Sequence, residues 1–134
     1  MYDRIYTPSS ARRVLGTVRP AVLLLRRIYR ALEREHFESF HLDGPVSPVY
    51  FRAILAFDRS HSVLSRMGVL LRDPARGLVG FPARRAGRSV LLSWMPGDPS
   101  VAFWHEADGD PGERRRIDED GPWDRPATGT ESAG

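Results

Sequence analysis

Val14, Val18, Ala21, Leu25, Ile28 and Leu32 recur at alternating steps of four and three residues, which lays them along one stripe of a helix. A helix with such a stripe has to pack against something. Arg12, Arg19, Arg26, Arg30 and Glu33 fall off the stripe, so the helix is amphipathic. Thr7-Pro8 supplies its start: a hydroxyl for the free amides of the first turn, then a proline whose missing donor costs nothing there. Gly16 and Pro20 lie inside, and Pro20 removes a ladder bond, which predicts a kink that the stripe crosses unbroken.

Periodicity fades after His36, and Leu42 to Pro48 reads as a loop whose Ser47-Pro48 resembles a second cap. Tyr50, Ile54, Phe57, His61 and Leu64 form the next stripe, backed by Phe51 and Leu55, with Gly68 as a left-handed stop. On this reading His61 faces the first helix as a satisfied core histidine. One connecting loop predicts an antiparallel helical hairpin over about residues 8–67. Leu78 to Phe81, Ser89 to Trp94 and Val101 to Trp104 are then β-prone runs separated by Arg85-Ala86-Gly87-Arg88 and Pro96-Gly97-Asp98-Pro99. They predict a three-stranded antiparallel meander over about residues 69–105. A sheet so small needs a covered face, so the expected fold is α+β, a two-helix hairpin packed on the meander. Residues 1–117 form one domain on this reading, and residues 118–134, rich in Gly, Pro, Asp, Glu, Ser and Thr, form an acidic disordered tail.

All twenty basic residues are arginine, which suggests a GC-rich genome. Residues 1–117 hold 19 of them against 12 acidic residues, whereas residues 118–134 hold 1 against 5. An acidic tail shields a basic body, so nucleic-acid binding is not expected on charge alone. The absence of cysteine excludes disulfides, thiolate metal sites and cysteine nucleophiles. No leader pattern opens the chain, and the longest apolar run, Ala21 to Leu25, is too short to span a bilayer, so the expected address is the cytoplasm.

The stretch from Gly68 through Arg76-Gly77-Leu78-Val79-Gly80-Phe81-Pro82 to Ala83, followed by Gly87-Arg88 and Trp104-His105-Glu106, resembles the bacterial family called domain of unknown function 2203. Arg19-Pro20 in the first helix matches it as well. The resemblance covers roughly residues 5–117 and implies the same order of helices and strands, with no activity attached. Gly80 stands where the family segment usually has aspartate, and Arg114-Arg115-Arg116 keeps the paired arginines without their usual glycine context.

Trp104-His105-Glu106-Ala107-Asp108 sets an imidazole and two carboxylates at the end of the last expected strand, and His105, Glu106 and Asp108 are the candidate ligands for a divalent metal. Asp73 to Gly77 reads as a tight turn, with Arg76 left over for an ion pair or an anion. A small ligand would therefore meet Asp73, Arg76, Trp104, His105 and Glu106. Arg84, Arg85 and Arg88 surround one turn and Arg114, Arg115 and Arg116 form a second basic run, the set available to phosphates. His36 and His41 flank Phe37 and Phe40 between the helices, where packing is their expected use. There is no nucleophile elbow, paired-histidine motif or phosphate loop. The first functional reading is a non-catalytic interaction or structural domain, forming a homodimer through the helical hairpin because Tyr50, Phe51, Leu55 and Val63 make the second helix apolar on more than one side. Ligand or metal binding is the alternative, and nucleic-acid binding the third.

Overall fold

A computed structural model describes residues 4–40, 48–110 and 112–126, with side chains left undescribed for residues 35–40. The first helix, α1, runs from Pro8 to Phe40 and continues through Pro20. Its start is a reciprocal cap: the Ser10 amide donates to Thr7 Oγ1 at 3.2 Å and the Thr7 amide to Ser10 Oγ at 2.9 Å. The second helix, α2, spans Pro48–Arg66. Gly68 ends it at φ +72°, and the Val69 amide reaches back to the Leu64 carbonyl at 2.9 Å, closing the last turn as its sequence predicts. The expected loop at Leu42 to Pro48 and the roles of His36, Phe37, Phe40 and His41 fall outside the described residues, apart from Pro48 itself, which opens α2.

The sheet has five antiparallel strands rather than three: β1 (Leu70–Asp73), β2 (Leu78–Arg85), β3 (Arg88–Trp94), β4 (Phe103–Glu106) and β5 (Arg115–Arg116), in that spatial order. The two extra strands escape sequence reading for different reasons. β1 is four residues long and runs straight into the Asp73-Pro74 turn, while β5 is two exposed arginines with no apolar alternation. Gly77, in the turn between β1 and β2, has φ +74°, and a Cβ there would stand 3.0 Å from both Val22 and Pro96. Ala86 (φ +50°) and Gly87 (φ +79°) make the two-residue β2–β3 turn, with both central residues in the left-handed region as a type I′ hairpin requires.

β2 outruns β1, which pairs only with Leu78, Val79 and Gly80. Two other chain segments close the rest of that edge. Tyr6 forms a parallel bridge to Ala83, its amide donating to the Pro82 carbonyl at 2.6 Å, and Trp123 forms an antiparallel bridge to Arg85. The Asp124 amide donates to the Arg84 carbonyl, and the Ala86 amide to the Pro122 carbonyl, each at 2.8 Å. Residues 118–126 are thus a strap laid over the hairpin, where disorder was expected from Asp118 onward; residues 127–134 lie outside the described part. Polar composition misleads here because a single Trp, a few backbone bonds and the ion pairs of Asp118 and Glu119 together hold nine residues against an open strand.

The buried stripe of α1 is Ala11, Leu15, Val18, Val22 and Leu25, one residue off the predicted one at several steps, with Val14 and Ala21 packed beside it. It meets Val79, Phe81, Ala83, Val90, Leu92, Trp94 and Trp104, the residues that alternate onto one face of the sheet. α2 adds Leu64, and Phe57 lies 6.4 Å from the Tyr29 ring. His61 does not face α1. It is exposed, stacked on Phe57 with its Nδ1 3.4 Å from Ser65 Oγ, because it sits past the edge of the buried arc that Ser60 and Leu64 define.

Leu25→Ala is expected to cost about 2–5 kcal/mol in urea unfolding, whereas neighbouring Leu24→Ala, 38% exposed, should stay within about 1 kcal/mol. Ala86→Asn relieves a left-handed alanine and should stabilise the fold by roughly 0.5–1 kcal/mol in the same assay.

Candidate functional site

Alternation along β4 sends neighbouring residues to opposite faces of the sheet. Trp104, paired with Leu92, belongs to the core face, and Glu106, paired with Val90, shares its parity. His105, paired with Leu91, points to the other face and is only 2% exposed. Its Nδ1–H donates to the Glu106 carbonyl at 2.8 Å, while Nε2 is buried without a partner among the described residues. The Glu106 carboxylate is bonded to Arg88, and Asp108 is exposed in the turn beyond. His105, Glu106 and Asp108 therefore do not converge. No group of three His, Asp or Glu side chains that could hold a metal ion occurs among the described residues.

A cleft of about 520 Å³ does open beside the Asp73 to Gly77 turn. It contains Asp73 and Arg76 from the expected ligand set but is completed by Arg72, Met95, Asp110 and Arg114 rather than by Trp104, His105 or Glu106. Asp73 caps its own turn, accepting from the Arg76 amide at 3.3 Å, and the exposed Arg76 guanidinium approaches it at 3.6 Å. Asp110 likewise accepts from the Gly112 amide at 2.8 Å. Arg114, mostly buried, is bonded to Asp98 at 2.8 Å and lies 4.1 Å over the Phe103 ring. Three guanidiniums are thus offset by Asp73, Asp98 and Asp110, and the cleft carries no excess charge that would select an anion.

The arginines proposed for phosphates are largely taken up by the fold. Arg85 is held between two indole rings, its guanidinium 4.9 Å from the centroid of Trp104 and 4.8 Å from that of Trp123, and forms a two-pronged pair with Asp118 at 3.0 and 3.1 Å. Trp104 and Trp123 meet edge to face at 5.9 Å. A Cβ on Gly121 would collide with this same pair, which explains a glycine in the strap. Arg88 is engaged by Glu106 and Arg114 by Asp98. Arg84 stays exposed, and the exposed Arg115 and Arg116 lie over Trp104 and Phe103 at 5.2 and 5.7 Å. Three scattered guanidiniums do not make a continuous phosphate track. Sequence reading missed the aromatic and acidic partners because Trp123 and Asp118 stand in a segment with no periodic signal.

A second anchor holds the strap to α1. Arg12 makes a bidentate pair with Glu119 at 2.7 and 2.8 Å, and its Nε donates to the Val101 carbonyl at 3.0 Å. The Arg12 bond holds the Glu119 carboxyl below its ordinary pKa, and the Arg85 bond does the same for Asp118.

The model of the family described as an uncharacterized conserved protein, DUF2203, matches residues 4–117 of the chain. The chain belongs to that family. The match takes in both helices and all five strands and stops where the strap begins, so the Arg85 and Arg12 anchors join a DUF2203 body to a segment outside the family match. No curated protein and no solved structure matches the chain.

Carboxylates with lowered pKa values stabilise the bound strap above the ordinary carboxylate range and lose that effect as pH falls through the lowered values. Acid titration is therefore expected to free the strap, read as a red shift in tryptophan emission at constant far-ultraviolet dichroism. Asp118→Asn with Glu119→Gln should show the shifted emission already at neutral pH.

Proposed function

We propose that this chain is a non-catalytic interaction domain, an antiparallel helical hairpin seated on a sheet, that docks a protein partner on the side of its helices turned away from that sheet. One observation carries the reading. All five exposed large hydrophobic residues among those described lie on the helices: Leu23, Leu24, Val49, Phe51 and Leu55. Phe51 and Leu55 are one turn apart and stand about half a turn round α2 from the buried Ser60 and Leu64, so they contribute nothing to the core. On α1 the half-buried Ala21, Ile28 and Ala31 align with Leu24 at four- and three-residue steps, a second apolar stripe beside the buried one.

The described residues offer little for catalysis. His105 is buried on a face that no carboxylate shares with it at bonding distance, and the exposed contact between Ser65 Oγ and His61 Nδ1, at 3.4 Å, has no carboxylate bonded to it among the described residues. A cysteine-free chain needs no oxidising compartment, which fits an address in the cytoplasm.

The double variant Phe51→Ser, Leu55→Ser tests the assignment of these side chains to docking. It is expected to unfold in urea within about 1 kcal/mol of the parent and to bind less of a fluorescent hydrophobic dye in the native state. A loss of more than about 2 kcal/mol, typical of core truncation, would return both residues to the fold and remove the docking surface.

A further inference from the structure

We infer that the partner on this helical face is an acidic amphipathic helix, lying along α2 with apolar side chains on Phe51 and Leu55 and carboxylates on the arginines beside them; this rests on the docking surface proposed above. Arg52, Arg59 and Arg66 stand seven residues apart, about two turns of helix at each step, and all three are exposed. They form one row along the flank of the outer face that carries Phe51 and Leu55, which are 57% and 42% exposed. None of the three makes an ion pair or a hydrogen bond among the described residues. The ion pairs formed there use Arg12, Arg76, Arg85, Arg88 and Arg114, while Arg19 and Arg30 are turned to Trp94 and the Ala75 carbonyl. The row on α2 is left over.

Asp58, the one acidic residue of α2, stands on the opposite flank of the Phe51 and Leu55 row. On α1 the exposed Arg27 lies opposite the buried stripe, and with Arg13 it adds positive charge to the side turned away from the sheet. The chemistry of the occupant follows from this pattern. An apolar row with guanidiniums along one flank is matched by a helix that carries an apolar stripe and, beside it, glutamate or aspartate at seven-residue steps. A seven-residue row drifts by about 20° per step on a straight helix, so the two helices would cross at a shallow left-handed angle of about 20°. A lipid surface reads charge without register, and a phosphate backbone gains nothing from a phenylalanine and a leucine at the middle of the contact. Register therefore favours a helix.

The test uses the full chain and three synthetic helical peptides about as long as α2, each with leucine at two positions per heptad and with glutamate, glutamine or lysine at the flanking ones. Fluorescence anisotropy is expected to show micromolar binding of the glutamate peptide, about tenfold weaker binding of the glutamine peptide and no binding of the lysine peptide. Arg52→Glu with Arg59→Glu should invert that order, so that the lysine peptide is bound best, which also shows the variant to be folded. Where the variant fails to fold, the choice the parent makes among the three peptides decides. Equal binding of all three peptides, or binding of none, would overturn the acidic partner and leave the dye and unfolding results of the Phe51 and Leu55 variant to judge the docking surface. Two further results would also overturn it. Co-sedimentation with vesicles of phosphatidylglycerol and phosphatidylcholine at physiological salt, without discrimination among the peptides, would give the face to a membrane. A two-chain mass in sedimentation velocity that Phe51→Ser with Leu55→Ser returns to one chain would give it to a second copy.

Discussion

The rest of this structure depends on closing the free edge of β2. A strand of eight residues paired to one of four leaves its outer half with unpaired backbone groups, an arrangement that invites pairing with another chain. Tyr6 and the residues around Trp123 supply the missing partners from opposite ends of the domain. Tyr6 then also fixes the first helix, since its ring packs on Phe81 at 5.3 Å and its hydroxyl bonds the Met67 carbonyl just after α2. One edge thereby ties sheet, both helices and strap into a single arrangement.

The strap is held by layered cations and rings rather than by apolar burial. Arginine suits this use because its flat, weakly hydrated guanidinium stacks on an indole and still offers its edge to a carboxylate. Arg85 does both, and a lysine could do neither as well. A chain whose basic residues are all arginine has spent many of them in this way, which is why a high pI says so little about nucleic acid here.

Both helices were legible in the sequence, with the Thr7 cap that starts α1 and the Gly68 stop that ends α2, because periodicity, cap chemistry and a terminal glycine agree there. The central β hairpin was legible for the same reason: Leu78 to Phe81 and Ser89 to Trp94 alternate or run apolar up to a glycine turn. What escaped were features decided by partners distant in sequence. Arg115 and Arg116 become a strand because β4 offers them an edge, and Asp118 to Asp124 become ordered because Arg85 and Arg12 wait for them. The two histidines fail in opposite directions. The stripe through His61 implies burial, yet its side chain is exposed. The acidic neighbours of His105 imply a ligand, yet its imidazole is buried on the face of the strand opposite Glu106. Neighbours along a strand are not neighbours in space.

Tyr6 and Trp123 bridge to Ala83 and Arg85, two residues apart on the same strand. The polypeptide therefore enters and leaves the folded body at nearly one point. A body of that kind can be spliced into a surface loop of a host protein without prising the loop ends apart, and the segments at Tyr6 and Trp123 can be joined by a short linker into a circular permutant. Whatever precedes residue 6 or follows residue 123 is launched from the same corner, beside the β2–β3 turn.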